Sequence, residues 1–381
     1  MTTVSELAEP KPPVPAAPMA GERDPRGSII PTAGMIAAKL LELRKRRGLM
    51  IALVLVDIGI PTIFLVVRLL AHAFDPKTYG PAGGYTIYSD LVAGVMYIFG
   101  FIVAATLGCT AGSADLGEGM FRHLVVTGRS RLAIYFARIP AGLAIVVPMV
   151  AVGFTIVCAV CVFAAPKTVN YDGINVPAGL SRGGLESWAA DHADEIVCNL
   201  GYGGPGPGGS NIACGPNGPV LPASGATPAR SAVRAFAVQV ADQNFAAYHD
   251  QFRFPSDWLM VRSGLWLELE AGIGFLVGLG LASFLGQRTV SVVLMIVLEI
   301  ILTPLFSMSR ISHLINLQRA IVGVATAHLE PGGLPGPFRG GNGPNATQLI
   351  SETRLESIAV VIIWLIVWTA LGAWRMATRD A

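Results

Sequence analysis

Four acidic residues inside otherwise apolar stretches are the side chains of this sequence most able to do chemistry. Asp57 and Glu299 lie deepest in their stretches, and Glu268 and Glu270 lie nearer an end. A charged side chain at mid-membrane costs roughly 3 kcal/mol on insertion scales unless it is paired or faces a cavity. Two interpretations stand: a polar lining for a transport path or subunit interface, or a structural ion pair between helices. For Asp57 and Glu299 both stay open, and for Glu268 and Glu270 we favour the ion pair.

Catalytic and metal-binding motifs are absent from the sequence. It contains no G-x-x-x-x-G-K-[ST] phosphate loop, no H-E-x-x-H metal motif and no G-x-S-x-G nucleophile elbow. Asp191, His192, Asp194 and Glu195 are neighbours in a polar stretch, but such consecutive residues rarely converge on one metal ion. We therefore predict that this chain is not an enzyme and holds no catalytic residue, metal ion or cofactor of its own.

The composition indicates an integral membrane protein. Apolar residues make up 52% of the 381 residues and charged residues only 14%, whereas soluble domains carry about 25% charged residues. The formal net charge of +2 is too small to suggest a nucleic-acid partner. The expected partner at this level is the lipid bilayer.

Six stretches are long enough to form membrane-spanning helices, each of which needs about 20 mainly apolar residues. They are residues 48–70, 91–111, 132–164, 264–285, 290–308 and 358–374. Trp258 and Trp266, near the start of the fourth stretch, are typical of anchors at the membrane interface. We predict an all-α membrane protein with a six-span domain over residues 48–377.

The two ends of the chain are predicted to be cytoplasmic. Residues 1–33 are rich in Pro and Ala and predict a disordered tail, and residues 34–47 predict an amphipathic elbow helix on the membrane surface. Arg44–Arg47 are four consecutive basic residues directly before the first span, which is typical of the cytoplasmic side. An even number of spans then brings Arg375 and Arg379 to the same side.

The external loop over residues 166–257 carries two cysteines that we expect to pair. Cys198 and Cys214 bracket most of residues 201–219, where the density of Gly and Pro predicts no regular structure. The external side is oxidising, and closing this loop would contribute roughly 3 kcal/mol through the unfolded chain. The alternative is two unrelated free thiols.

A second external loop is predicted over residues 309–354. Apolar residues recur at helical spacing over residues 311–324. We expect this part to form a helix that returns partway into the outer half of the membrane, followed by a Gly- and Pro-rich segment.

The connector between the second and third spans has an amphipathic pattern. Apolar residues recur every fourth position, at Leu116, Met120 and Leu124. Glu118 and Arg122 share the opposite side, so residues 115–128 predict a short cytoplasmic helix. Arg129 and Arg131 follow at the start of the next span, where a membrane protein keeps cytoplasmic positive charge. The alternative is a solvated loop helix with no partner.

This order of elements resembles the membrane subunit of ABC-2 type transporters, the permease of a bacterial ABC exporter. The residues that carry the resemblance most sharply are Glu118, Gly119, Leu124, Thr127, Ser130 and Arg131. The sequence departs from the family pattern in the turn at residues 127–129, where relatives often have Pro. It departs again at Arg138, where they often have Lys.

The resemblance implies a function for the connector. A separate cytoplasmic ATPase, which binds ATP and Mg, would dock on Glu118, Gly119, Arg122, Arg129 and Arg131. A second permease copy, identical or a related paralogue, would complete the path, and the assembly would export a substrate across the cell inner membrane. The alternative is a non-transporting membrane scaffold that binds partners through its external loops.

Overall fold

The computed structural model of the protein describes residues 28–79, 81–117, 130–171, 174–199, 213–215, 218–220, 230–252, 255–308, 313–332, 334 and 351–378. The predicted tail lies mostly outside these residues. So does most of the connector between the second and third spans.

The described residues are mainly helical. The helices in chain order are α1 (Ala33–Lys45), α2 (Arg47–Phe74), α3 (Pro76–Tyr79), α4 (Tyr85–Ala114), α5 (Arg131–Phe163), α6 (Arg182–Asp191), α7 (Ala193–Asn199), α8 (Arg230–Phe252), α9 (Asp257–Leu285), α10 (Arg288–Phe306), α11 (Ile315–Arg319), α12 (Val322–Leu329) and α13 (Arg354–Thr378). The strands are β1 (Thr168–Tyr171), β2 (Ile174–Pro177), β3 (Ala213–Gly215) and β4 (Gly218–Val220). They form two separate antiparallel hairpins, β1–β2 and β3–β4.

Six of these helices, α2, α4, α5, α9, α10 and α13, are long and apolar enough to cross a membrane. The prediction of six apolar helices is therefore confirmed. Some begin earlier than the apolar stretch indicated, because a helix starts at its cap. Ser256 caps α9 by accepting a hydrogen bond from the Leu259 backbone N–H at 3.2 Å. The helix therefore begins at Asp257, seven positions before the predicted start at residue 264.

Two of the spanning helices, α4 and α9, form the centre of the bundle. In their apolar stretches 67% and 72% of the residues are buried, compared with 22% in α2, α10 and α13. The outer helices expose large apolar side chains, including Ile63 and Val67 on α2 and Ile362 and Ile366 on α13. Such faces suit contact with lipid rather than with water.

Glycines allow the backbones of α4 and α9 to touch. A Cβ at Gly278 would lie 2.8 Å from the Ala105 carbonyl oxygen, and one at Gly112 would lie 2.6 Å from the Leu279 carbonyl oxygen. Gly108 meets the α9 backbone in the same way. Small residues four apart on both helices are the pattern that brings membrane helices into close contact.

Residues 166–257 contain more regular structure than predicted. The buried apolar side chains of α6, α7, α8 and β2 form a separate core that includes Val176, Leu185, Ile196 and Ala237. The β3–β4 hairpin falls inside residues 201–219, so the prediction of no regular structure there is wrong for these strands. Each of these strands is only three residues long.

The two cysteines of this region lie in neighbouring elements. Cys198 belongs to α7, which packs against β4, and Cys214 pairs with Pro219 across the β3–β4 hairpin. The free thiols among the described residues are Cys109, Cys158 and Cys161. Because the side chain of Cys214 lies outside the described part, its bond to Cys198 stays a prediction.

The segment after α10 forms two short helices, α11 and α12, where the spacing over residues 311–324 predicts a single helix. Helix α12 is almost fully buried and packs against α13 and the end of α10. The Trp364 indole N–H, well inside α13, donates to the Ala320 carbonyl oxygen at 2.7 Å. These helices therefore lie beside the spanning helices and not beyond their ends.

The glycine contact between α4 and α9 can be tested with one pair of substitutions. Gly278→Ala should lower the unfolding free energy in detergent by about 1–3 kcal/mol, because the new methyl group would clash with backbone atoms of α4. The measured sign is a lower thermal midpoint. Gly272→Ala is the matched control on the same helix, since nothing lies within 4 Å of its Cβ position. It should be neutral or stabilising through helix propensity. Equal effects of the two substitutions would contradict the close contact.

Candidate functional site

Three spanning helices contain a π-helical turn. The turns cover Leu55–Gly59 in α2, Leu91–Met96 in α4 and Val297–Leu302 in α10. Asp57 and Glu299 lie within two of these turns, and Tyr97 directly follows the third. Single π turns inside α-helices occur frequently at functional sites. Here each one coincides with a buried polar side chain.

Glu299 is a buried acceptor with two hydroxyl groups beside it. Its side chain is only 3% exposed, and its Oε1 accepts a hydrogen bond from the Tyr97 hydroxyl. The Thr303 hydroxyl lies 3.4 Å from Oε2 and 3.1 Å from the Leu298 carbonyl oxygen, so it divides its single proton between them. This environment provides donors for an ionised carboxylate.

Glu270 of α9 lies in the same place but has a different environment. It is 2% exposed, and its Oε1 has no hydrogen-bond partner. The Thr326 hydroxyl is its polar neighbour, and the charged groups that act on it are Glu299 and Glu330. We call Glu270, Glu299 and Glu330 the acidic centre. The structural ion pair expected for Glu270 is therefore not found, because its charged neighbours are acidic.

Aromatic side chains close one side of the acidic centre. The rings of Tyr97 and Trp266 stack with their centroids 5.1 Å apart and their planes at 3°. The Trp266 indole N–H donates to the Thr326 carbonyl oxygen at 3.2 Å, which ties α9 to α12. Trp266 is thus buried and not the interfacial anchor that its position predicts, whereas Trp258 is 68% exposed.

Helix α12 closes the other side. A Cβ at Gly323 would lie 2.7 Å from the Glu299 Oε2 atom, so only glycine permits this approach. Further contacts tie α11 and α12 to the start of α13. The Arg319 guanidinium donates to the Ser351 carbonyl oxygen at 2.8 Å, and His328 Nδ1 lies 3.5 Å from Glu352 Oε2. Burial raises the pKa of the Glu352 carboxyl above its usual range.

The other two predicted acids do not belong to this centre. Asp57 is buried against α4 and α5, where Gly100 and Gly153 face it. Glu268 is partly exposed, and it lies about 200° around α9 from Glu270, given about 100° per residue. Within the described part of the chain, no group of three His, Cys, Asp or Glu residues could hold a metal ion.

Most of the predicted coupling residues lie outside the described residues: Glu118, Gly119, Arg122 and Arg129. Arg131 is described, and its guanidinium donates to the Ala377 carbonyl oxygen at 3.3 Å. This contact joins the start of α5 to the end of α13.

Several residues of the site were not anticipated from the sequence. They are Tyr97, Thr303, Thr326 and Glu330. The hydroxyl groups carry no local signal, because Tyr and Thr are common in apolar stretches. Glu330 falls in a segment whose composition resembles a loop, and only the repulsion between its charge and that of Glu270 makes it part of the centre.

No protein-family model, curated protein or solved structure matches this chain.

The Tyr97–Glu299 hydrogen bond should be visible in stability measurements. Tyr97→Phe removes a donor from a buried acceptor, which should cost about 1–3 kcal/mol of unfolding free energy in detergent. Tyr135→Phe is the matched control, since Tyr135 is buried but its hydroxyl has no hydrogen-bond partner. It should be close to neutral. If Tyr97→Phe were no more destabilising than Tyr135→Phe, the hydrogen bond would not contribute to stability.

Proposed function

We propose that this chain is the membrane-spanning subunit of a transporter and that the acidic centre controls its path. The observation that carries the proposal is the buried acidic centre between α4, α9, α10 and α12. Ionisable residues inside a membrane domain are costly and generally mark ion or substrate pathways. A purely structural bundle has no need of two or more buried carboxyl groups that approach each other.

The position of α12 supports the same proposal. Short helices and irregular backbone at the depth of a membrane are tolerated where protein buries them or where they line a cavity. Helix α12 contacts Glu299 through Gly323 and α9 through Thr326. A displacement of α12 would therefore uncover the acidic centre, which makes this helix the natural gate.

We further propose that a separate cytoplasmic ATPase drives the transporter, as in an ABC-2 type exporter. The support is the sequence pattern from Glu118 to Arg131 between two spans. Two basic positions share one end of the bundle: Arg131, at the start of α5, contacts the end of α13, whose last turn carries Arg375. Helix α1 also packs against α5. Positive charge gathered at one end favours the cytoplasmic side for that end. In this arrangement α1 is the elbow helix.

The ATPase proposal is tested by co-purification and by a double substitution. An ATPase should co-purify with the detergent-solubilised chain, and Glu118→Ala with Arg122→Ala should uncouple ATP hydrolysis from transport without loss of folded protein. Arg182→Ala with Glu186→Ala is the matched control, because it removes another pair spaced four residues apart, on α6, whose charged atoms are 3.9 Å apart. Unchanged transport in the Glu118 and Arg122 variant would refute the docking role.

The proposed orientation places the core of α6, α7 and α8 outside the cell, where Cys198 and Cys214 should be oxidised. Non-reducing peptide mapping should therefore recover the two cysteines in one linked peptide. Cys158 and Cys161 serve as the internal control, because both are free thiols on a spanning helix. Recovery of Cys198 and Cys214 as free thiols, alkylated after unfolding, would contradict the orientation.

A binding scaffold is the second candidate, because the region around α6 and α8 has its own core and a cavity of about 180 Å³. The cavity is lined mainly by apolar side chains, including Trp188 and Tyr248. Absence of an ATPase together with a stably bound external protein would favour the scaffold. A co-purified ATPase whose activity responds to the chain would favour the transporter.

A further inference from the structure

We propose that Glu270 is a proton-binding site, which holds a proton while α12 covers the acidic centre and releases it when water enters. The site itself follows from the geometry. Its part in a transport cycle rests on the proposed function.

Glu270 and Glu299 differ in the number of hydrogen-bond donors that surround their carboxyl groups. Glu299 accepts a hydrogen bond from Tyr97 and has Thr303 beside it, whereas Glu270 Oε1 has no partner although the side chain is 2% exposed. An ionised carboxylate can only accept hydrogen bonds, and a buried one with few donors is strongly disfavoured. The polar neighbour of Glu270 is the Thr326 hydroxyl, whose proton is shared with the Gly323 carbonyl oxygen at 3.1 Å. A negative charge is therefore less favourable at Glu270 than at Glu299, so a proton shared by the two carboxyl groups resides on Glu270.

Like charges in the acidic centre lead to the same assignment. The charged groups that act on Glu270 are Glu299 of α10 and Glu330 after α12, and the titratable group of α4 next to them is Tyr97. Two carboxylates that share a buried site cannot both ionise without a large cost, so one retains a proton. Of the two, Glu270 has fewer donors and is the one that retains it.

The close packing selects a proton over a larger cation. The Gly323 backbone leaves no space for a methyl group beside the Glu299 Oε2 atom, and the Oε1 atom is occupied by the hydroxyl of Tyr97, whose ring stacks on Trp266. The described residues also provide no three-ligand metal site. A proton is the one cation that needs no additional volume.

Release of the proton requires a path to water. When α12 moves away, the Glu270 carboxylic acid gives its proton to a water molecule and remains as a carboxylate that water can solvate. By thermodynamic reciprocity, protonation of Glu270 favours the covered arrangement to the same degree. Glu270 thus couples external or internal pH to the position of α12.

Infrared spectroscopy of the purified full-length chain in lipid nanodiscs tests the site without any ATPase or substrate. The wild type should show the carbonyl band of a protonated carboxyl group at neutral pH, with the shift in D₂O that an exchangeable proton causes. Glu270→Gln should remove the part of this band that belongs to Glu270, measured as the difference between the wild-type and variant spectra, while preserving the shape of the neutral acid. Glu268→Gln is the control on the same helix and should leave the band unchanged.

A second variant keeps the test independent of how well Glu270→Gln folds. Glu299→Gln removes the neighbouring negative charge, so the band should titrate away at a lower pH than in the wild type. The absence of the band in folded wild-type protein, an undiminished band in Glu270→Gln, or an unshifted titration of the Glu270 part in Glu299→Gln would overturn the proposal.

These outcomes separate the two proposals. A band assigned to Glu270 in a chain that binds no ATPase and transports nothing would leave the proton site intact and refute the proposed function. ATP-driven transport by a chain that lacks the band would support the proposed function and refute the proton site.

Discussion

Close contact between the backbones of α4 and α9 is the constraint on which the rest of the structure depends. Lipid tails are as apolar as the side chains of the helices, so burial of apolar surface does not hold membrane helices together. Dispersion contacts must do so, and they need helices that approach closely. Gly108 and Gly112 on α4 and Gly278 on α9 remove the side chains that would keep the two backbones apart.

The acidic centre depends on this contact because α4 and α9 supply its fixed parts. Tyr97 and Trp266 stack only if the two helices keep their register, and Phe101 packs against Gly274 one turn further along. Glu270 is then held in place by α9, whereas Glu299 and α12 reach it from the outer helices. The centre therefore has one wall on the two most buried spanning helices and a second wall formed by α12 and by α10, in whose apolar stretch only 22% of the residues are buried.

The sequence was sufficient to predict the six apolar helices, because their length and hydrophobicity are properties of the chain alone. It also identified Glu299 as a buried acid. It could not show that Glu270 is the neighbour of Glu299, because that depends on which faces of α9 and α10 meet. Trp266 was misjudged for the same reason. Helices α6 to α8 were not predicted, because the Gly and Pro density of residues 201–219 was taken as typical of the whole loop. The π turns were not predicted either, since they have no signature in the amino-acid sequence.

The π turns give this protein an unusual evolutionary freedom. A π turn accommodates one residue more than the α-helical turn it replaces, since its hydrogen bonds run from i to i+5. Each residue of an α-helix turns the chain by about 100°. A one-codon insertion that stays α-helical therefore rotates every later side chain, whereas an insertion taken up as a π turn re-orients only the side chains of that turn. Such a local change can turn a lipid-facing carboxyl group towards the interior. Polar chemistry can thus enter or leave such a bundle in a single genetic step, without any change in the ends of its helices.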